Sequence, residues 1–200
     1  RDLYKIFGPN PKQHVESVRR GVTKEILASQ HGHILGLNNI NISMPAAKIH
    51  VVMGLSGSGK STLIRHINRL IEPTSGAIMV NGRDVLSLSA EELREFRRSG
   101  TAMVFQKFGL LPHRTVIDNV MFGLEVRAFD KAKARDTAMR WIERVGLKGF
   151  ENRYPNELSG GMQQRVGLAR ALTNDPAILL MDEAYSALDP LIRSASAIRS

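Results

Sequence analysis

The apolar positions of this chain follow two different spacings along its length. Short apolar runs at residues 49–53, 101–106 and 177–181 predict buried strands. Between these runs, apolar residues recur every three or four positions, which predicts amphipathic helices. Strands that alternate with helices in this order are typical of a parallel α/β sheet.

Local signals mark where several helices begin. Ser89 with Glu92 and Thr115 with Asp118 form capping boxes, and Ser159 is a predicted N-cap. The helix after the glycine-rich turn has its predicted apolar face at Leu63, Ile64, Ile67, Leu70 and Ile71. The helix after Thr115 has its face at Val116, Ile117, Val120, Met121 and Leu124. The helix from about residue 131 to residue 145 has its face at Ala134, Ala138, Trp141, Ile142 and Val145.

The beginning of the chain is less regular. Leu3, Ile6 and Phe7 predict a short strand, and residues 15–27 predict a short helical arm. Alternation over residues 40–44 predicts a half-buried strand. Asn81 and Gly82 predict the turn that closes a further strand at residues 77–80.

Composition narrows the classes of function. The chain has 28 lysines and arginines against 19 acidic residues, a net charge of +9, but no block of five like charges. We therefore favour scattered surface charge over a dedicated polyanion-binding face. The absence of cysteine excludes disulfides and thiolate metal sites from this chain. No apolar run approaches the ~18 residues that a membrane-spanning helix needs.

Residues 54–61 read GLSGSGKS and match the phosphate-binding pattern G-x-x-x-x-G-K-S/T in full. The glycines let backbone amides turn onto phosphate oxygens, and the following helix directs its positive end at them. Lys60 can reach the β and γ phosphates, and the Ser61 hydroxyl can bind Mg²⁺. The residues predicted to bind nucleotide here are Gly54, Ser56, Gly57, Ser58, Gly59, Lys60, Ser61 and Thr62.

Two further segments carry candidate chemistry. Asp182 and Glu183 follow an apolar strand, where Asp182 can hold Mg²⁺ through water and Glu183 can act as general base. Many strands end in aspartate, so this pattern indicates a metal site only when the phosphate loop is present in the same chain.

Ser159, Gly160 and Gly161 begin a helix, and this helix N-terminus is a second place where an anion can bind. One nucleotide has one triphosphate, so this end is either an ordinary N-cap or has a second use.

Residues 158–164, LSGGMQQ, resemble the signature motif of ATP-binding cassette ATPases. Gln106 after a strand, the pair Asp182–Glu183 and a D-loop-like SALD at residues 186–189 stand in the order of that family. Residues 3–8, 53–60, 68–73 and 181–193 resemble, more narrowly, the ATP-binding subunit of glycine betaine/proline (quaternary amine) importers.

The resemblance implies a head-to-tail dimer of this chain with a second copy. Each ATP would lie between the phosphate loop of one copy and the signature segment of the other. The implied catalytic residues are Glu183, Lys60 and Gln106, and the implied metal-binding residues are Ser61, Gln106 and Asp182. The implied nucleotide contacts beyond the phosphate loop are Ser159, Gly160, Gly161, Gln163 and Asp189. The cofactors are ATP and Mg²⁺.

The resemblance also implies partners and a location. A transmembrane permease would dock near residues 108–119, a solute-binding protein would act indirectly, and no nucleic acid is expected. The subunit would lie peripherally on the cytoplasmic face of the membrane and power import of a compatible solute. The alternative is a non-transport ATPase of the same family that acts on nucleic acid or ribosomes. A P-loop kinase or GTPase is a third class, which needs no LSGGMQQ segment.

The expected fold is α/β: a P-loop ATPase core of the ABC type with a parallel sheet, an N-terminal antiparallel part and an inserted helical subdomain. Its expected parts are an N-terminal arm (1–30), the first part of the nucleotide-binding core (31–106), the helical subdomain (107–157) and the signature helix with the Walker B strand and D-loop (158–200). We expect the core to be C-terminally truncated, which predicts weak ATP binding and slow hydrolysis for this chain. Counting back from the phosphate loop, the position where the family places an adenine-stacking aromatic residue falls at residues 31–35, which contain no Phe, Tyr or Trp. His31 or His33 could stack there, but a loop histidine is more often simply solvated, so no adenine-stacking residue is assigned.

Overall fold

The computed structural model describes residues 1–105 and 108–182. The chain divides into two units, Arg1–Leu93 and a second that begins at Arg94. The strands and helices of the first unit are β1 (Leu3–Phe7), α1 (Val15–Arg19), α2 (Lys24–His31), β2 (Ile34–Ile40), α3 (Lys60–Ile67), β3 (Met79–Val80) and β4 (Arg83–Asp84). Helix α4 (Ala90–Glu95) crosses the boundary between the two units.

Strand β1 is held on both edges. On one edge it pairs with β2 in an antiparallel ladder that ends at Phe7 opposite Ile34. On the other edge, the Thr74 amide donates to the Tyr4 carbonyl at 2.8 Å and the Ile6 amide donates to the Thr74 hydroxyl at 2.9 Å. One face of this ladder packs on the two helices that precede β2, through Tyr4, Ile6, Val15, Val18 and Leu27. The predicted helical arm is therefore two helices anchored to the first strands.

Two predicted strands of the first unit are wrong. Strand β2 ends at Ile40, so residues 41–44 are coil, and residues 49–53 are also coil. Ile49 is 87 % exposed and Met53 is 84 % exposed, instead of being buried on two faces. A strand is stable only when its backbone groups pair with a neighbour, and no described strand of this unit pairs with residues 49–53. Apolar composition alone does not supply that neighbour.

The short-range signals of the first unit are confirmed. Asn81 (φ 49°) and Gly82 (φ 80°) form the two-residue turn between β3 and β4, with both residues in the left-handed region that such a hairpin needs. The amide of Ser89 donates to Glu92 Oε2 at 2.8 Å, and the amide of Glu92 donates to Ser89 Oγ at 3.3 Å. This reciprocal pair is the predicted capping box of α4.

The second unit contains a layer of helices and a pair of strands. Its elements are β5 (Thr101–Val104), α5 (Val116–Val126), α6 (Lys131–Arg144), α7 (Gly160–Leu172) and β6 (Ile178–Met181). The predicted faces of α5 and α6 are confirmed, because all of those residues are buried except Trp141, which is partly buried. Thr115 caps α5 and Asp130 caps α6, each by accepting a backbone hydrogen bond from the first turn.

Strands β5 and β6 are parallel, as predicted. Thr101 lies opposite Ile178 and Val104 lies opposite Met181. Helix α7 covers this pair, because its Leu168 packs in one buried cluster with Val104. The connection from β5 to β6 runs through all three helices, which is the crossover that parallel strands require.

Candidate functional site

The glycine-rich loop leads directly into α3, as the sequence predicts. Gly57 (φ 77°) and Gly59 (φ 92°) lie in the left-handed region, and Gly59 is the residue that precedes the helix. A Cβ atom on Gly59 would lie 2.6 Å from the Gly36 carbonyl oxygen, so only glycine lets the loop approach β2 this closely. The loop therefore presents the unpaired amides of the first turn of α3 at its own open end.

Lys60 is the first residue of α3 and lies on this loop. Its Nζ donates to the carbonyl oxygens of Gly54 and Leu55, both at 2.8 Å. Residues 54–58 are exposed, whereas Lys60, Ser61 and Thr62 are partly buried. A charged phosphate oxygen is a stronger acceptor than a neutral carbonyl, so the ammonium is placed to exchange these bonds for bonds to an anion.

An exposed aromatic side chain lies beside the phosphate loop. Phe7 is the last residue of β1 and is 37 % exposed, with Lys5 Nζ 4.8 Å from its ring centroid. A Cβ atom on Gly36 would lie 2.6 Å from Phe7 Cε2, and the carbonyl of the same Gly36 lies against Gly59. The ring and the loop thus share one small residue as their common neighbour.

His33, one of the two histidines considered for stacking on adenine, is buried and not exposed to a ligand. His33 is 4 % exposed, and its two ring nitrogens lie 2.6 Å and 2.7 Å from the carbonyl oxygens of His31 and Pro9. His31 is exposed beside His14, with 4.7 Å between ring centroids. Phe7 lies well before residues 31–35 in the sequence, because α1 and α2 are inserted between the end of β1 and the start of β2.

A buried histidine lies in the helix that carries the phosphate loop. His66 is fully buried, and its Nδ1 donates to the Thr62 carbonyl at 2.6 Å. Its Nε2 has no hydrogen-bond partner in the part of the chain that the structure describes. Burial lowers the pKa of His66 most; the bond to Thr62 raises it, nearby Lys5 lowers it, and Glu72 raises it. The net direction is downward from 6.5, so the folded chain favours the neutral ring.

We expect His66 to make the first unit sensitive to acid. Its pKa is lowered in the fold, so the unfolded chain binds the proton more readily, and stability is lost as pH falls below the ordinary value of 6.5. Urea midpoints at a neutral and a mildly acidic pH should differ more for the wild type than for His66→Leu. The exposed His50 is the control, because His50→Leu should keep the wild-type difference. Equal pH differences for the wild type and His66→Leu would contradict this assignment.

The signature segment forms the exposed N-terminus of α7. Ser159 caps the helix by accepting a hydrogen bond from the Met162 amide at 3.3 Å. Gly160 and Gly161 are exposed, and a Cβ atom on either would meet nothing within 4 Å. Gln163 donates its side-chain amide to the Pro155 carbonyl at 2.9 Å and so holds the preceding loop. The start of α7 is therefore exposed at both glycines of the signature segment.

Asp182 directly follows β6. It is 1 % exposed, and its amide donates to the Val104 carbonyl at 3.0 Å, which continues the pairing with β5. The predicted residues Gln106, Glu183 and Asp189 lie outside the described residues. In the first unit, the structure therefore places Lys60, Ser61 and Thr62 together at the start of α3. In the second unit, Ser159 and Asp182 belong to consecutive elements, because α7 begins after Ser159 and is followed by β6, which Asp182 follows.

The described part of the chain has no helix with the length and apolar character needed to cross a bilayer. The family described as ABC transporter matches residues 37–186. Over 189 residues the chain is 54% identical to the glycine betaine transport ATP-binding protein OpuAA of Bacillus subtilis (strain 168), which covers 94% of this chain and 45% of that protein. Over 194 residues it is 50% identical to the glycine betaine/proline betaine transport system ATP-binding protein ProV of Escherichia coli (strain K12), which covers 97% of this chain and 48% of that protein.

Among solved structures, the dimeric structure of MJ0796, a bacterial ABC transporter cassette, matches with a TM-score of 0.79 and 31% identity. That match covers 97% of this chain and 77% of the cassette. The chain therefore belongs to the ABC transporter family, with the P-loop ATPase fold of its cassettes. Within that family it is similar over nearly its whole length to ATP-binding proteins of glycine betaine transport. It spans about half the length of the curated relatives that it matches, 45% and 48%.

Proposed function

We propose that this chain belongs to an ATP-hydrolysing subunit that powers import of a compatible solute across the cytoplasmic membrane. The observation that carries the ATPase part is a pair of glycine-lined helix starts, one at Gly59–Lys60 and one at Ser159–Gly161. The first carries a lysine for a triphosphate, and the second is exposed and open. Because one triphosphate needs only one of these ends, the second is best explained by a nucleotide that a second copy holds.

In this proposal, Lys60 and the loop amides bind the phosphates and stabilise charge during transfer to water. Ser61 supplies an oxygen ligand for Mg²⁺, an ion that prefers oxygen donors and retains several waters. The described residues contain no group of three or more histidine or acidic side chains that could hold a metal. In the proposal, phosphate oxygens of the nucleotide are further ligands of Mg²⁺. Mg²⁺ would neutralise phosphate charge when it is bound. The roles of Gln106, Asp182, Glu183 and Asp189 stay predictions from the sequence.

We assign the adenine platform to Phe7. Phe7→Ala is expected to weaken ATP affinity about tenfold, because base–aromatic stacking contributes ~1–3 kcal/mol. Phe7→Trp should retain the affinity, since it keeps an aromatic face. Titration with a fluorescent ATP analogue measures both, and Phe150→Ala, at an exposed phenylalanine of the other unit, is the control. An unchanged affinity for Phe7→Ala would refute the assignment.

The proposed solute is a methylated amine of the glycine betaine type. The support is the similarity to OpuAA and ProV, which are ATP-binding proteins of glycine betaine transport and of glycine betaine/proline betaine transport. This similarity does not favour the alternative of an ATPase that acts on nucleic acid or ribosomes. A head-to-tail dimer, a permease that docks at residues 108–119 and an indirect solute-binding protein complete the proposed assembly.

Solute uptake by the full-length subunit, assembled with its permease, tests this proposal. Vesicles loaded with ATP and Mg²⁺ should accumulate labelled glycine betaine, and unlabelled proline betaine should compete. Vesicles loaded with ADP should not accumulate it. ATP hydrolysis without uptake of any methylated amine would overturn the solute, and an absence of hydrolysis would overturn the ATPase assignment.

A further inference from the structure

Arg170 holds two consecutive backbone carbonyls of the connection between β5 and α5. Its Nη1 donates to the Gly109 carbonyl and its Nη2 donates to the Phe108 carbonyl, each at 2.8 Å. The guanidinium is partly buried, and no carboxylate among the described residues forms a salt bridge with it. Burial lowers the pKa of Arg170, although an arginine stays charged at any physiological pH. The carbonyls of Phe108 and Gly109 are thus the hydrogen-bond acceptors of this partly buried guanidinium.

The connection is held in an unusual backbone conformation at this point. Phe108 has φ 58° and Gly109 has φ 56°, so a non-glycine residue occupies the left-handed region beside a glycine. That conformation is unfavourable for a residue with a side chain, and it persists only when its surroundings fix it. A Cβ atom on Gly167 would lie 3.5 Å from the Phe108 carbonyl oxygen, so α7 is also in close contact here.

Helix α7 joins two separate buried clusters. Val166 and Ala169 pack among α5 and α6, whereas Leu168 and Ala171 pack against the strands β5 and β6. These residues alternate along the same turns of α7, so the helix presents one face to each cluster, and Arg170 lies within these turns. Its two hydrogen bonds therefore fix the connection to the helix at the junction between the helical layer and the strand pair.

We propose that Arg170 is a positioning residue that clamps the β5–α5 connection to α7, so that the Ser159 end of α7 and the connection move as one body. This inference rests on the proposed function, in which Ser159 meets a nucleotide and residues 108–119 meet the permease. Arg170 contacts neither partner directly. Its role is to transmit a shift at one end of α7 to the docking segment, and loss of it should uncouple hydrolysis from transport.

Paired measurements on one preparation test the clamp. In vesicles with the full-length subunit and its permease, Arg170→Ala should lower the solute imported per ATP hydrolysed about tenfold, a usual size for coupling between two sites. The KM for ATP should stay at the wild-type value. Arg170→Lys should restore part of the solute imported per ATP hydrolysed. An ammonium can donate to one of the two carbonyls but lacks the planar guanidinium that donates to both.

Arg165 is the matched control on the same helix. Its Nη1 donates to the Val145 and Gly146 carbonyls at 3.0 Å and 3.3 Å, at the end of α6 rather than at the connection. Arg165→Ala should lower stability while leaving solute imported per ATP unchanged. A wild-type ratio in Arg170→Ala, or an equal loss of the ratio in Arg165→Ala, would overturn the clamp.

Hydrogen exchange separates failure of the clamp from failure of the proposed function. ATP should change the exchange of residues 108–115 in the wild type and in Arg165→Ala, but not in Arg170→Ala at saturating ATP. If the wild type imports no solute, the transport proposal fails, and this exchange difference alone decides the clamp. An identical response to ATP in Arg170→Ala would then refute it.

Discussion

Lys60→Ala is expected to reduce the affinity for ATP by about a hundredfold, which equilibrium titration with ATP will measure. The wild-type ammonium lies at the open loop on two neutral carbonyls, from which a phosphate can displace it. Loss of its charge-assisted bonds to two phosphates removes ~3 kcal/mol or more, because each such bond contributes ~1.5–3 kcal/mol.

Lys48→Ala is the control for this loss. Lys48 is exposed in the coil that precedes the loop, so its removal changes the net charge by the same amount without touching the phosphate site. Its ATP affinity should stay near that of the wild type at physiological salt. If Lys60→Ala binds ATP as tightly as Lys48→Ala does, residues 54–61 are not the triphosphate site.

Glu183→Gln is expected to slow ATP hydrolysis about a thousandfold, within the range for loss of a general base, and to trap a dimer with ATP. Light scattering of the full-length subunit should show twice the monomer mass with ATP and Mg²⁺. It should show the monomer mass with ADP. A monomer under both conditions would contradict the proposal that two copies bind each ATP between them.

The open glycines of α7 allow a sharper version of this test. A Cβ atom at Gly161 would meet nothing within 4 Å among the described residues, so Gly161→Glu introduces a negative charge at an exposed position, where it would repel a partner's triphosphate. Added to Glu183→Gln, it should abolish the ATP-dependent dimer. Ala132→Glu places the same charge on the exposed first turn of α6 and should leave the dimer intact. Dimers that survive Gly161→Glu would mean that the copies associate through a different face.

The helices of the second unit were predictable because their signals are local. Thr115 and the apolar spacing after it specify both the start and the buried face of α5, whatever the rest of the chain does. In α3 the same reasoning is only partly successful. His66 is buried where the pattern places no apolar residue, and α3 ends at Ile67, so the predicted face residue Leu70 lies beyond the helix and is 48 % exposed. A histidine can be buried when one nitrogen bonds its own helix, and apolar spacing does not report that.

Features that depend on distant neighbours were not predictable. Residues 49–53 read as a strand, yet a strand exists only where another backbone pairs with it. In the sequence, Phe7 is an ordinary residue at the end of a predicted strand. Only the fold shows that Gly36 of β2 lies between Phe7 and the phosphate loop. Arg170 reads as one more surface cation among 28 lysines and arginines, and no sequence pattern marks an arginine that binds backbone carbonyls.

The parallel pairing of β5 with β6 has a consequence for how the chain is synthesised. The two strands are neighbours in the fold, but α5, α6 and α7 separate them in the sequence, so a ribosome releases β5 well before β6. During that interval α5 and α6 can form from local contacts, while the edge of β5 stays unpaired and prone to association. Arg97 and Arg98 lie just before β5, separated from it by Ser99 and Gly100, and charges that flank a strand act as gatekeepers against aggregation of the nascent chain.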